Sequence, residues 1–251
     1  MTKTIAIIGG TGLTEPKQLQ VISAHDVQTP YGSTSAPILE GEMAGYRVLF
    51  LARHGHPHRI PPHQVNYRAN MWALQKLYAT DIVSVNAVGS IAIDAMPTRA
   101  LVLPDQIIDY TWGRIHTYYQ GDLEAVKHVD LSFPYSESLR DLLAQAAHHA
   151  GKSIVNGAVY GVTQGPRLET AAEIVRMERD GCDIVGMTGM PEAALARELQ
   201  LNYASLALVV NPAAGKSNSV ITLKEIQTAL DAGMTDVRDV IAQAIRLFYE
   251  D

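Results

Sequence analysis

The sequence predicts an α/β layer fold, one sheet covered by helices on both sides. Three observations carry that reading. Short apolar runs alternate with stretches of helical periodicity along the chain. The runs are apolar at successive positions rather than at every second one, as strands covered on both faces require. Glycines close several of the elements. A chain of 251 residues with 47% apolar side chains can bury one sizeable core, so a single domain over 1–251 is expected.

The elements follow in order. Thr4–Ile8 is a strand stopped by Gly9-Gly10-Thr11-Gly12, and Tyr46–Ala52 is a second β-rich run after Gly45. Val65, Ala69, Trp72, Ala73 and Leu77 are at helical spacing. Asp81–Val88 is a valine-rich strand ended by Gly89-Ser90, and Leu101–Ile108 is another strand. Ser136–Ala150 is a helix that Gly151 ends. Strand Ala158–Thr163, helix Glu169–Arg179, strand Asp183–Met187 and helix Pro191–Leu199 come next, the last with proline in its first turn. Strand Tyr203–Val210 precedes one or two helices over Thr222–Phe248. Two loops stand out: 53–64, with four histidines and three prolines, and 212–219, small and polar, which reads as a mobile lid or as plain exposed linker.

Composition excludes several classes of function. An apolar-rich chain with 18% charged residues is not disordered, and a net charge of −6 offers no counter-charge to a nucleic-acid backbone. Cys182 is the single cysteine, so no intrachain disulfide forms and a reducing cytoplasm is expected. Ile5–Ile8 is too short for a signal-peptide core, and no apolar run has the length of a membrane span. A small anionic substrate remains compatible with the charge.

Several motifs carry chemistry. The Gly9–Gly12 turn offers backbone amides and the Thr11 hydroxyl to an anion, or is only a tight turn. It is not a dinucleotide fingerprint, because Glu15 stands where the third glycine belongs. Gly215-Lys216-Ser217 is not a phosphate-binding P-loop, because Val210 stands where its first glycine belongs. Arg53 and His54 can hold a phosphate through a planar fork and a further hydrogen bond. His54, His56 and His58 could instead share a metal ion, but no carboxylate stands near to orient them. Asn86–Ser90 ends a strand, where ligands of open α/β sheets collect. Glu169 is a first-turn helix acid and Asn211 precedes Pro212 at a strand end, both ordinary in those places.

Together, the stretches IIGGTGL, LARHG, NYRANMWAL, AVGS, GPRLET, VGMTGMPE and the strand ending at Asn211 resemble, in family order, the trimeric purine nucleoside phosphorylase and methylthioadenosine phosphorylase family. The resemblance implies a three-layer α/β/α domain around a central mixed sheet, no metal and no cofactor, inorganic phosphate as co-substrate, and a homotrimer with sites near the subunit boundaries. It implies phosphorolysis: phosphate attacks the anomeric carbon of a nucleoside and the purine leaves. Carried over position by position, Thr11, Arg53, His54, Ala87 (through its backbone) and Thr188 meet phosphate, and Met187 packs under the sugar. Leu168 replaces a phenylalanine that stacks on the base in relatives, so that stacking is lost.

The base follows from donor and acceptor logic. Methylthioadenosine phosphorylases carry aspartates where this chain has Asn211 and Ala213. The Asn211 amide can donate to a 6-oxo group and accept from a protonated N7, while Glu169 accepts from N1–H. Adenine has no N1–H, which would leave Glu169 unpaired. At the sugar end, Ile221, Leu223 and Ile226 suit a methylthio group, and His128 resembles a histidine that a neighbouring subunit lends to the 5′ side. A 6-oxopurine on a 5-methylthio sugar is methylthioinosine, the expected substrate. A general inosine and guanosine phosphorylase, a methylthioadenosine phosphorylase, a zinc hydrolase built on the histidines and a non-catalytic dinucleotide-binding protein are the alternatives.

Overall fold

A computed structural model describes residues 3–13, 18–121 and 127–250, and Glu15 lies outside them. The described strands form one eleven-stranded mixed sheet with β5 (Asp81–Ser90) at its hub. β5 pairs in parallel with β1 (Ile5–Gly9) and with β11 (Asn202–Pro212), and its last residues pair antiparallel with β10 (Ile184–Gly186). β1 continues in parallel to β4 (Tyr46–Ala52), and β10 to β9 (Val159–Val162) and then β7 (Gln106–Asp109).

Alternation along the central strands divides the core. Ile5, Ile7, Val83, Val85, Leu206 and Leu208 face α2 (Glu137–His149) and α5 (Leu223–Glu250). Ala6, Ile8, Ile82, Ala207 and Val209 face α1 (Tyr67–Lys76) and α4 (Gly189–Glu198). Side-chain caps start three helices: Asn66 for α1, Ser136 for α2, and a Thr170–Glu173 capping box for α3 (Ala171–Arg179). The last expected helical stretch is one helix of 28 residues.

Three strands were absent from the sequence reading. β2 (Gln20–His25) and β3 (Ile38–Met43) are an antiparallel pair beside β4, and β2 is an edge strand with largely exposed side chains, Val21 and Ile22 among them. The β3–β4 turn is Ala44-Gly45, both at positive φ, the conformation of a tight hairpin turn. β8 (Ile154–Asn156) is three residues long. The run expected over 101–108 is two strands, β6 (Leu101–Leu103) and β7, broken at Pro104-Asp105, with β6 on β11 and β7 on β9. Among the described residues no helix is long and apolar enough to cross a membrane.

Candidate active site

Four parallel strands end on the same side of the sheet and hand their next residues to one cavity. β1 delivers Thr11, β4 delivers Arg53 and His54, β5 delivers Ala87–Gly89, and β11 delivers Asn211. The turns after β9 and β10 add Leu168, Glu169, Met187 and Thr188, and the start of α5 adds Leu223 and Ile226. The cavity has a volume of about 490 Å³. Of the twelve site residues expected from the sequence, eleven line it. His128 does not; it is exposed on the connection before α2.

Asn211 reaches the cavity through a β-bulge. Val209 pairs with Val88, but Asn211, not Val210, pairs with Gly89. A Cβ at Gly89 would stand 3.4 Å from the Asn211 amide nitrogen, so glycine keeps that approach open. Asn211 Nδ2 donates one hydrogen to the Pro212 carbonyl at 2.6 Å, leaving its second hydrogen and its oxygen for a ligand. Glu169 is held from behind: Thr163 Oγ1 donates to its Oε1 at 2.6 Å, which leaves Oε2 for a donor in the cavity. Gly165, at φ +60, lets the 163–169 turn pass over the Met187 sulfur, where a Cβ would approach to 2.6 Å.

The phosphate side differs from a simple fork. Arg53 is only 1% exposed, and four of its five N–H groups already have acceptors in the protein. Nε and Nη2 form a two-pronged pair with the Glu192 carboxylate, Nη2 also donates to Ser84 Oγ, and Nη1 donates to the Val85 carbonyl at 3.1 Å. One Nη1 hydrogen is left for an anion, not two in parallel. Gly10 is required here, because a Cβ would press on both Nη1 and the Val85 carbonyl. Glu192 is buried and saturated, also accepting from Ser84 Oγ and Tyr203 Oη, both at 2.9 Å. Ser205 donates to Asn86 Oδ1 at 2.7 Å, so Asn86 Nδ2 turns to donate to Thr188 Oγ1 at 2.8 Å. The Thr188 hydroxyl hydrogen is thereby left to donate elsewhere.

His54 is the neighbouring group expected from the sequence to meet phosphate. Its Nδ1–H donates to the Ile60 carbonyl at 2.8 Å, closing the 54–60 loop and leaving Nε2 as an acceptor. Burial, and then the charge of Arg53, lower its pKa to about 3, against the opposing pull of the Ile60 carbonyl. A neutral His54 accepts the proton of a hydrogen phosphate rather than donating to it. His58 stacks on His54 with centroids 4.4 Å apart and planes 2° from parallel. Two stacked imidazoles aim their in-plane lone pairs along parallel directions, not toward a shared ion. Among the described residues no cluster of three histidine, cysteine or acidic side chains could hold a metal.

The sequence reading missed Ser84, Tyr203 and Ser205, and it gave no individual role to Asn86 or Glu192, although both stand in stretches it singled out. Their signal was present as polar residues inside otherwise apolar strands and an acid on an apolar helix. It also missed Arg114, which binds the carbonyls behind the site.

The chain belongs to the Phosphorylase superfamily, whose family model matches residues 4–246. Among its relatives, the protein named probable S-methyl-5′-thioinosine phosphorylase from Pseudomonas syringae is 58% identical, covering 96% of this chain and 97% of that one. A protein of the same name from Xanthomonas campestris is 51% identical, with 96% and 97% covered. A probable 6-oxopurine nucleoside phosphorylase from Thermococcus kodakarensis is 43% identical, with 96% and 91% covered. A solved structure of methylthioadenosine phosphorylase from Schistosoma mansoni with adenine superposes with TM-score 0.95 at 32% identity, covering 100% of this chain and 93% of that one.

Two outcomes follow from these contacts. Arg53→Leu alone strands a buried Glu192 carboxylate and should cost about 3–5 kcal/mol in denaturant unfolding, whereas Arg53→Leu with Glu192→Leu should recover most of it without restoring phosphate binding. Equal stability of the single and double variants would contradict the pairing. For His54, the unfolded imidazole takes a proton near pH 6.5 and the folded one only near 3. Its contribution to stability is therefore complete above about pH 6.5 and is lost as pH falls toward 3. Unfolding curves of His54→Gln should be flatter than wild type across that window, and identical slopes would count against a neutral buried His54.

Proposed function

We propose that the protein cleaves S-methyl-5′-thioinosine with inorganic phosphate to hypoxanthine and 5-methylthioribose 1-phosphate. The observation that carries this is the pairing of Glu169 and Asn211 across one cavity, with no acid at 211 or 213. A 6-oxopurine presents N1–H to the free Glu169 oxygen, and O6 and N7 to the Asn211 amide. Phosphate, held by Thr11, the remaining Arg53 N–H, His54, the Ala87 backbone and Thr188, attacks C1′ as the C1′–N9 bond breaks. The electron pair moves onto the purine, whose N7 takes a proton from solvent, and the N7–H donates to the Asn211 oxygen. Catalysis is positioning plus stabilisation of that leaving charge, with no metal and no cofactor. Met187 and Leu168 flank the sugar and base, and Leu223 and Ile226 take the methylthio group. The working form is a cytoplasmic homotrimer. His128, exposed and outside its own cavity, serves a neighbour's 5′ end, and 212–222 acts as a lid. The names of the Pseudomonas and Xanthomonas relatives support this substrate.

One observation favours a second reading. Leu223 is 84% exposed, so the methylthio pocket is open in this state. A general inosine and guanosine phosphorylase needs no such pocket, and the Thermococcus relative is named for 6-oxopurine nucleosides.

Phosphate-dependent kcat/KM on methylthioinosine, inosine and methylthioadenosine separates these readings. Methylthioinosine should exceed inosine by about ten- to two-hundred-fold, the worth of one buried methyl and sulfur. Asn211→Asp should lose on the order of 10²-fold on methylthioinosine and shift relative preference toward methylthioadenosine, more so with Glu169→Ser and Ala213→Asp. Equal rates on inosine and methylthioinosine would favour the general phosphorylase. Wild-type preference for methylthioadenosine would overturn the base site.

A further inference from the structure

We infer that Arg114 is a positioning residue for the nucleoside half of the site, holding the base and sugar walls together as one unit. This rests on the function proposed above. Arg114 lies on the connection after β7, is 8% exposed, and makes no contact with the cavity. Its guanidinium donates to four backbone carbonyls from two separate turns. Nη2 reaches Thr163 O at 3.1 Å and Gln164 O at 2.8 Å, and Nη1 reaches Met187 O at 2.8 Å and Met190 O at 2.6 Å. Nε donates to the Gln164 side chain at 3.2 Å. Nη1 also lies 3.2 Å from Tyr67 Oη, and the guanidinium sits 5.5 Å from that ring.

The acceptors are all neutral, which is unusual for a buried cation. A buried arginine is ordinarily compensated by a carboxylate, as Arg53 is here. Arg114 instead spends its charge on oriented carbonyl dipoles. What those carbonyls belong to gives the assignment. Thr163 fixes Glu169, the base acceptor, and the 163–165 turn passes over Met187. Met187 is the sugar floor, and Met190 closes the turn that begins at Thr188. Tyr67 passes the link on, donating from Oη to the Pro62 carbonyl at 2.8 Å, and Pro62 lines the cavity beside Gly165 and Met187. No single strand joins these three segments. β9 and β10 are paired only as far as Val162 and Gly186, and beyond their ends the two turns meet where Gly165 packs on Met187 and where Arg114 bonds the carbonyls of both. A planar fork with five fixed donors can bridge them, and a lysine ammonium, with three donors at one point, cannot span both carbonyl pairs. Of the groups assigned to phosphate only Thr188 stands in a turn that Arg114 holds; Thr11, Arg53, His54 and Ala87 stand on β1, β4 and β5 or the loops directly after them, and Arg114 makes no hydrogen bond to those segments.

The consequence is a split in kinetic constants. Arg114→Lys should raise KM for the nucleoside about tenfold or more while KM for phosphate stays within about threefold. Tyr67→Phe, which removes only the hydroxyl link, should move the same constant in the same direction by a smaller factor. Millimolar guanidinium, below denaturing concentration, should restore part of the nucleoside affinity of Arg114→Ala. A purely structural role would lower the melting temperature and the active fraction, leave both KM values unchanged, and give no rescue by guanidinium. The constants are measured on whichever of the three nucleosides wild type uses best, so a different substrate preference sinks the proposed function without touching this inference. Unchanged nucleoside KM in both Arg114→Lys and Tyr67→Phe, or a phosphate KM that rises as far as the nucleoside KM, would overturn it. If Arg114→Ala does not fold, Arg114→Lys and Tyr67→Phe decide the matter.

Discussion

The parallel pairing of β5 with β11 is the constraint on which the rest of the site depends. The two strands run side by side from Asn202↔Asp81 to Pro212↔Ser90, and a single bulge shifts the register just before the cavity. That shift sets Asn211 opposite Gly89. A side chain on residue 89 would crowd the Asn211 amide, and an unshifted register would bring Val210 there instead. β1 pairs with β5 directly and β4 joins it through β1, so Thr11, Arg53 and His54 arrive at the same cavity as Asn211. One strand thus carries the reference frame for the side chains that line the cavity.

Buried polarity does the rest. Glu192 fills all its acceptor positions with Arg53, Ser84 and Tyr203, which fixes the arginine and balances its charge in the absence of an anion. Asn86, oriented by Ser205, then fixes which way the Thr188 hydroxyl can donate. A half-satisfied network of this kind would cost more than an apolar core, whereas a saturated one specifies a single geometry. The side proposed to take phosphate thus offers a neutral imidazole, a mostly spent guanidinium and neutral donors rather than a cluster of free cations.

The sequence showed the layer fold and most of the site because both are written in local signals. Apolar runs that end in glycine mark β1 and β5, and helical periodicity marks α1 and α2. The ordered motifs placed nine residues that the structure brings to one cavity, and the reading of the last helix added Leu223 and Ile226. What was not legible depends on pairing across the chain. β2 is a short, exposed edge strand held by β3, and β8 is held by β6. The saturation of Arg53 could not be read from Arg53: its partner is 139 residues away, and the charge of Glu192 looks like an ordinary first-turn helix acid until the fold buries it. Arg114 is likewise silent in sequence, because backbone carbonyls have no residue identity.

The central claim is that a carboxylate and an amide, facing each other across the cavity, choose a 6-oxopurine. A crystal structure with hypoxanthine and phosphate bound tests it most directly. The account predicts the free Glu169 oxygen on N1–H, the Asn211 amide bridging O6 and N7, and phosphate between Thr11, Thr188 and His54. A base turned so that N1 faces away from Glu169, or Asn211 still closed on the Pro212 carbonyl with neither O6 nor N7 in reach, would contradict it.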